Sequence, residues 1–315
     1  MGSIFLKDTM VLAGIEATAG AGAVLTGISA IEVSDVSIEP LKSDKKSRNI
    51  VKPWAGISPS KQANTHRTCK LKCDFAGGGG VLGDVMPAWG VLHRMCQMTA
   101  TVDSTVGAEK VTFVGNHPSS QVTGALHYYL DQELRKLYGA QGKVSLEFKA
   151  GEIPKWVYDF TGLWSAPLIQ APPAPVYTQW KDPDVVSDDY TPTFQLDGVD
   201  LVLEDLSIDF GQKVTFKNRP NQAAVKTPDR ETTGNATFLY PGLAVLDVEL
   251  LAKEGTLIPL ALAHGTATGR KLLIDAAFVQ ITDFSFTDLD GEVACKVGLN
   301  FTNPDGTGDW TITAQ

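Results

Sequence analysis

The sequence predicts a mainly β protein made of two tandem β-sandwich or barrel domains, each carrying one short α-helix. Three observations predict it. Apolar and polar residues alternate with period two along most of the chain, as in strands with one face in a core and one in water. The 315 residues are about twice a usual domain length. Two anchor patterns in the first half also recur in the second, at spacings of 170 and 140 residues.

Taken in order, residues 1–30 read as an N-terminal arm. They do not follow the secretory pattern, because Asp8 follows Lys7 at once and Glu16 interrupts the apolar stretch. The first repeat begins next. Glu32-Val33-Ser34-Asp35-Val36-Ser37-Ile38-Glu39 matches Val202-Leu203-Glu204-Asp205-Leu206-Ser207-Ile208-Asp209, 170 residues later. In both, alternation (Ile31, Val33; Leu201, Leu203) slips by one at a polar pair ending in Asp, then resumes (Val36, Ile38; Leu206, Ile208). A shared slip implies the same bulge or bend in the same strand. From Thr68 to Phe75, Cys69, Leu71, Cys73 and Phe75 point one way and Lys70, Lys72 and Asp74 the other. Pro87 to Met98 reads as a helix with Trp89, Leu92 and Cys96 on one face and Asp84 and Pro87 as start signals.

A second anchor pair follows. Val144-Ser145-Leu146 with Gly151-Glu152-Ile153 and Val157 matches Phe284-Ser285-Phe286 with Gly291-Glu292-Val293 and Val297, at spacing 140. Each is strand, glycine turn, strand. The second half is therefore 30 residues shorter between the anchors, and the basic block described below is expected to hold much of the difference. Val245 to Glu254 reads as the second helix, with Val245, Val248, Leu251 and Ala252 on one face. Ala166 to Thr193 holds six prolines and little periodicity, so it reads as a stiff, extended linker. The predicted organisation is an arm (1–30), a first domain (31–165) with a long basic loop (40–68), a linker (166–193) and a second domain (194–315).

Charge is unevenly spread. Residues 1–170 carry 17 Lys+Arg and 15 Asp+Glu, while residues 171–315 carry 10 and 21. An acidic chain is a poor general binder of nucleic acid, because phosphate affinity comes from basic groups. The first half nevertheless has a basic block from Lys42 to Lys72 with Asp44 as its one acid before that point. It reads as a solvated loop, as an arm docking on an acidic neighbour, or as a nucleic-acid contact. Four cysteines give no disulfide framework and fit a reducing cytosol. The longest apolar run, Leu257 to Ala263, is far shorter than the ~20 residues a membrane helix needs.

No motif converges on chemistry, so no catalytic, metal or cofactor-binding residue is expected. Cys69 and Cys73 on one strand stand roughly 13 Å apart, too far to share a metal. His93 and Cys96 have helical spacing but no second pair. Asp288-Leu289-Asp290-Gly291 opens like a calcium loop, yet Leu299 stands where the bidentate Glu belongs, so it reads as a hairpin turn. Gly265 to Lys271 lacks the spacing and the Ser/Thr of a phosphate loop and reads as a strand-to-strand turn. Gly77 to Gly80 reads as a loop tip.

Several segments carry a family resemblance: KDTMVLA (Lys7–Ala13), RNIVKPWAGISP (Arg48–Pro59), PAWGVLHRMCQM (Pro87–Met98), GAQGKVSLEFKAGEIP followed by FTGLW (within Gly139–Pro167), PDRETTG (Pro228–Gly234) and His264–Thr282. Together they resemble the major tail tube proteins of long, non-contractile-tailed bacteriophages, in the two-domain branch. Gln97 stands where the family pattern has Gly after the helix cysteine. The resemblance implies a tail tube fold and a structural, non-enzymatic virion protein made in the host bacterial cytoplasm. It implies three chains per ring with pseudo-sixfold symmetry and rings stacked into a tube. Tape measure, tail terminator and distal tail proteins would be its partners, with genomic DNA passing through the lumen unbound. Lys42, Lys45, Lys46, Arg48, Lys52 and Trp54 are the candidate ring or stacking contacts, reaching the acidic second half of a neighbour. An acidic bore would let DNA pass without gripping it. Two other readings stand beside this one: a secretion-system-type tube protein, and a β-sandwich carbohydrate-binding module, although the six Trp are too dispersed to form an evident platform.

Overall fold

The computed structural model describes every residue except 1–5, 49, 52, 55, 78–85, 106, 108 and 307. Among the described residues the chain is mainly β with two short α-helices. The first half runs β1 (Thr9–Ile15), β2 (Ala30–Ile31), β3 (Asp35–Ser47), β4 (Ser60–Asp74), α1 (Gly90–Met95), β5 (Met98–Asp103), β6 (Lys110–Gly115), β7 (Gly124–Leu130), β8 (Glu133–Lys149), β9 (Lys155–Trp164) and β10 (Leu168–Ile169). The second runs β11 (Thr193–Leu196), β12 (Val199–Asp200), β13 (Leu203–Asp209), β14 (Thr215–Arg219), β15 (Gln222–Lys226), β16 (Thr233–Leu239), α2 (Val248–Glu254), β17 (Leu257–His264), β18 (Leu272–Leu289), β19 (Glu292–Phe301) and β20 (Thr311–Ala314).

The two halves are wired alike, and every pairing is antiparallel. In the first, β2 pairs β1, β1 pairs β7, β7 pairs β8, β8 pairs β9 and β10, β9 pairs β4 and β4 pairs β3. In the second, β12, β11, β17, β18, β19, β20, β16 and β13 repeat those pairings one for one. The phase slip is a β-bulge in the second half. Leu203 faces Phe238 and Asp205 faces Thr237, which leaves Glu204 as the extra residue. In the first half Asp35 faces Lys72 while the Ser34 N–H donates to the same Lys72 carbonyl at 2.8 Å.

The ladders also locate the length difference, and it is not where the sequence suggested. Ile38 faces Cys69 and Ile208 faces Gly234, so the basic block accounts for only five residues. The other 25 are the net difference between Cys69–Val144 and Gly234–Phe284, a span that includes the β5–β6 hairpin, which has no counterpart among the described residues of the second half. The same ladders place Tyr158, not Val157, in the position of Val297, opposite Val144 and Phe284 respectively.

Other expectations shift at element ends. Within the expected N-terminal arm (1–30), Thr9–Ile15 is a strand between β2 and β7 with Val11, Leu12 and Ala13 buried. The first helix stops at Met95 because Gln97 takes φ +62°, a left-handed conformation that ends a helix. Its expected start signal Asp84, like Gly78–Gly80, lies outside the described residues. The second helix starts at Val248, not Val245. The Asp247 carboxylate accepts the Leu250 N–H at 2.9 Å as its N-cap, leaving Val245 exposed. The Pro-rich segment is held along the first half: Val176 N–H donates to the Gly27 carbonyl (2.9 Å) and Trp180 Nε1 to that of Ala30 (3.1 Å).

The halves share one core. Phe75 packs on Trp156 (ring centroids 4.9 Å apart), Trp156 meets Phe210 (6.1 Å), and Phe210 meets Trp310 (4.6 Å), a continuous aromatic path from first half to second. The C-terminal strand β20 adds a further link by pairing with β6.

Candidate assembly interface

The lower half of β8 pairs with β13, from Lys149 opposite Asp205 to Ser145 opposite Asp209. This joins the two halves into one antiparallel sheet of eight strands, ordered β3, β4, β9, β8, β13, β16, β19, β18. Each half contributes four strands in the same order. The junction is therefore head to tail: the last strand of one half meets the first strand of the next. The two ends of the sheet, β3 and the lower half of β18, are second copies of the strands that meet at the junction.

Burial distinguishes the used edge from the unused one. At the junction Val144 is 1% exposed, Leu146 0%, Leu206 1% and Ile208 1%. At the sheet ends their counterparts are open: Phe284, Val36 and Ile38 are half-buried and Phe286 is 56% exposed. The junction's backbone bonds run from Phe210 N–H to the Val144 carbonyl (3.2 Å) and from Ala150 N–H to that of Glu204 (2.8 Å). Among the described residues, the outer edge of β3 and residues 282–289 of β18 pair with no further strand. Unpaired edges of this length attract strand addition unless something covers them. Pro40 stands in the position of Phe210 and has no N–H to offer, so the β3 edge is weakened at one end.

The basic block is the upper part of the β3–β4 hairpin. Not all of it is a charged surface. Arg67 is 1% exposed and donates to three backbone carbonyls, those of Pro40 (3.0 Å), Lys136 (2.7 Å) and Ser165 (3.1 Å), which pins the hairpin's base. Lys72 pairs with Glu147 at 2.7 Å and Lys70 with Asp159 at 3.9 Å. Lys42, Lys45 and Lys46 lie exposed on β3, with Lys42 near Glu39 at 3.6 Å, while Arg48 and Trp54 follow in the exposed connection. Lys52 lies outside the described residues. The structure brings these residues onto one projecting hairpin but not onto a single small site. In the second half the matching hairpin continues as β14–β15, which folds over the first half's sheet and stacks Phe216 on His66 at 4.8 Å.

The face of the eight-stranded sheet opposite the core differs between halves. In the first half lysines and acids share it, with Lys72 paired to Glu147 and Lys70 to Asp159. In the second, Asp205, Asp209 and Asp283 share it with Lys296.

The buried titratable groups are core. The His93 ring, fully buried against Trp89 and Trp156, is 2.9 Å from the Tyr158 hydroxyl, and burial drives its imidazole down to about 3. Burial, with a smaller contribution from Asp159, pushes the Cys69 thiol up to about 12, and burial raises Cys73 and Cys96 well above the usual thiol range. Such thiols are poor nucleophiles. Asp290 (φ +52°) and Gly291 (φ +90°) form the two-residue β18–β19 turn, and Gly265–Lys271 connects β17 to β18. Among the described residues no three His, Cys, Asp or Glu side chains converge as a metal site. A cavity of about 470 Å³ lies between the halves beside Arg230, which donates two bonds to Asp309 (3.1 and 2.7 Å) while Thr232 donates a third (3.0 Å).

Sequence periodicity could not reveal the sheet ends as a site. The signal available was the pair of anchors: a duplicated strand pattern that meets itself once inside the chain leaves one copy of each edge over. No protein-family model matches the chain, and comparison with curated proteins found no match.

Proposed function

We propose that the protein is a structural subunit that polymerises through its own strand edges into rings, and that the rings stack into a hollow tube, the tail tube of a long-tailed phage. The observation that carries this reading is the head-to-tail junction. A heterologous contact that uses the same two edges at every step closes a ring if its rotation closes, and otherwise runs on as a filament. Chains repeating the β8–β13 contact between β18 and β3 would form one continuous barrel of strands, and three chains would make a ring of six half-units. Equivalence with the internal junction sets the register: Ile38 opposite Phe286 and Ser37 opposite Thr287, as Ile208 faces Leu146 and Ser207 faces Glu147.

The charge pattern supports the conduit part of the reading. The sheet face away from the core would line the bore. Its acids outnumber its lysines in the second half, so it would repel phosphate and let DNA slide. The experiment is negative-stain microscopy of the purified full chain. Rings or hollow tubes are expected; a monodisperse monomer at all concentrations would overturn the proposal.

A further inference from the structure

The cavity of about 470 Å³ between the halves takes no part in the strand edges, and its walls are polar. Gln97 and Gln121 line it from the first half, and Gln212, Arg230, Asn300 and Asp309 from the second. Its volume falls within the roughly 300–1,000 Å³ of small-molecule sites. Gln212 is 4% exposed. Its side-chain oxygen accepts the Val144 N–H at 3.1 Å, while its Nε2 has no partner among the described residues. Protein interiors rarely leave such a donor unmet, so it calls for an acceptor supplied from the cavity. The guanidinium beside it is held in place. Arg230 donates twice to Asp309, lies over the Trp310 ring at 5.5 Å, and rests against Gly115, where a Cβ would stand 1.4 Å from its Nη1. Only a glycine at 115 leaves room for that side chain.

We propose that this cavity binds a small uncharged polyhydroxyl compound, of the size of a monosaccharide. Charge decides against an anion. The lining carries Asp229, Glu231 and Asp309 against Arg230, and Lys213, which bridges Asp229 (3.0 Å) and Glu231, still leaves three acids to two bases. A field of that sign repels phosphates and carboxylates. Strand pairing decides against an extended peptide, because β16 and β19 are already paired on both sides along the cavity. A hydroxyl both donates and accepts. Neighbouring hydroxyls on one ring can therefore accept from Gln212 Nε2 and donate to the carboxylate oxygens of Asp309, with Phe301 as an apolar patch for the ring's C–H face. Exposed His117 and Thr233 stand at the rim, where such a compound would enter. No Trp lines the cavity, so this is a polar cleft between the halves and not an aromatic platform.

The test titrates the full chain with glucose, galactose and N-acetylglucosamine, each beside its 6-phosphate, and follows binding by saturation-transfer NMR. Saturable binding of at least one neutral sugar is expected, with its 6-phosphate at least tenfold weaker. Asn300→Ala, at the half-buried wall, and Gln212→Met are each expected to weaken that sugar at least tenfold. Should Gln212→Met fail to fold, Asn300→Ala decides alone, its melting temperature serving as the check on the fold. Lys45→Glu, on the distant β3–β4 hairpin, is expected to leave the affinity unchanged. No saturable binding of any neutral sugar, a 6-phosphate that binds as tightly as its parent, or wild-type affinity in Asn300→Ala would each overturn the site. The readout is the same whether or not the chain forms rings, so its failure leaves the self-assembly reading standing and the reverse holds too.

Discussion

Phe286→Asp probes the open edge most sharply. In the isolated chain this ring is 56% exposed and touches Tyr240 and Phe284 edge-on. A Phe side chain carries about 200 Å², so closing the junction would remove about 110 Å² from water, worth about 3 kcal/mol at ~25 cal/mol per Å². A carboxylate placed there would have to be desolvated as well. The association constant per lateral contact should therefore fall by at least about a hundredfold. Sedimentation velocity over a concentration series reads this directly, with circular dichroism melts to follow the fold. The internal counterpart is the control. Leu146 occupies the same position at the closed junction with 0% exposure, so Leu146→Asp should cost about 4 kcal/mol or more and unfold the chain. If Phe286→Asp assembles at the wild-type threshold, the equivalence of the two edges is wrong.

Two further outcomes concern the fold. Gln97 sits at φ +62° while its side chain donates to the Val122 carbonyl (2.7 Å) and accepts the Val122 N–H (3.0 Å), tying the end of α1 to the connection that leads into β7. Gln97→Ala keeps the strained backbone and loses both bonds, so it should cost about 1–3 kcal/mol by urea denaturation, and Gln97→Gly should recover about 1 kcal/mol of that; equal stability of all three would contradict this account. His93 should make the protein acid-sensitive. Its folded value near 3 lies below the ordinary 6.5, so between those limits the unfolded chain binds the extra proton. Stability is then whole above about pH 6.5 and falls by up to about 1.4 kcal/mol per unit as pH drops toward 3. Denaturation at pH 7 and pH 5 should show a smaller loss for His93→Asn than for wild type, and an unchanged slope would refute the assignment.

Strand faces were legible in the sequence because burial on one side of a sheet imposes period two. The bulge at Glu204 was legible because a slip in that period has a single geometric meaning. Helix ends were less so. Val245 fits the apolar stripe of α2, but the Asp247 cap starts the helix after it, and Gln97 ends α1 in a conformation usually taken by Gly. The N-terminal strand was missed because Met10 to Ala13 form an apolar run without alternation, as in a strand covered on both faces. The site lay further out of reach. Lys70, Lys72 and Arg67 read as one basic block with Lys45 and Lys46, and only the fold shows that the first three are paired or buried. The leftover edges depend on which strands pair across the halves, and no local pattern encodes that.

The most direct measurement of the central claim is disulfide trapping of the full chain with Ser37→Cys and Thr287→Cys. Their internal counterparts, Ser207 and Glu147, face each other across the junction, and the four native cysteines are buried. The account predicts rapid cross-linking between copies, with a covalently closed ring of three chains as the largest species on a non-reducing gel and much slower cross-linking for Ser37→Cys with Ser285→Cys. Absence of cross-links, equal rates in both registers, or a ladder running on past three chains would contradict it.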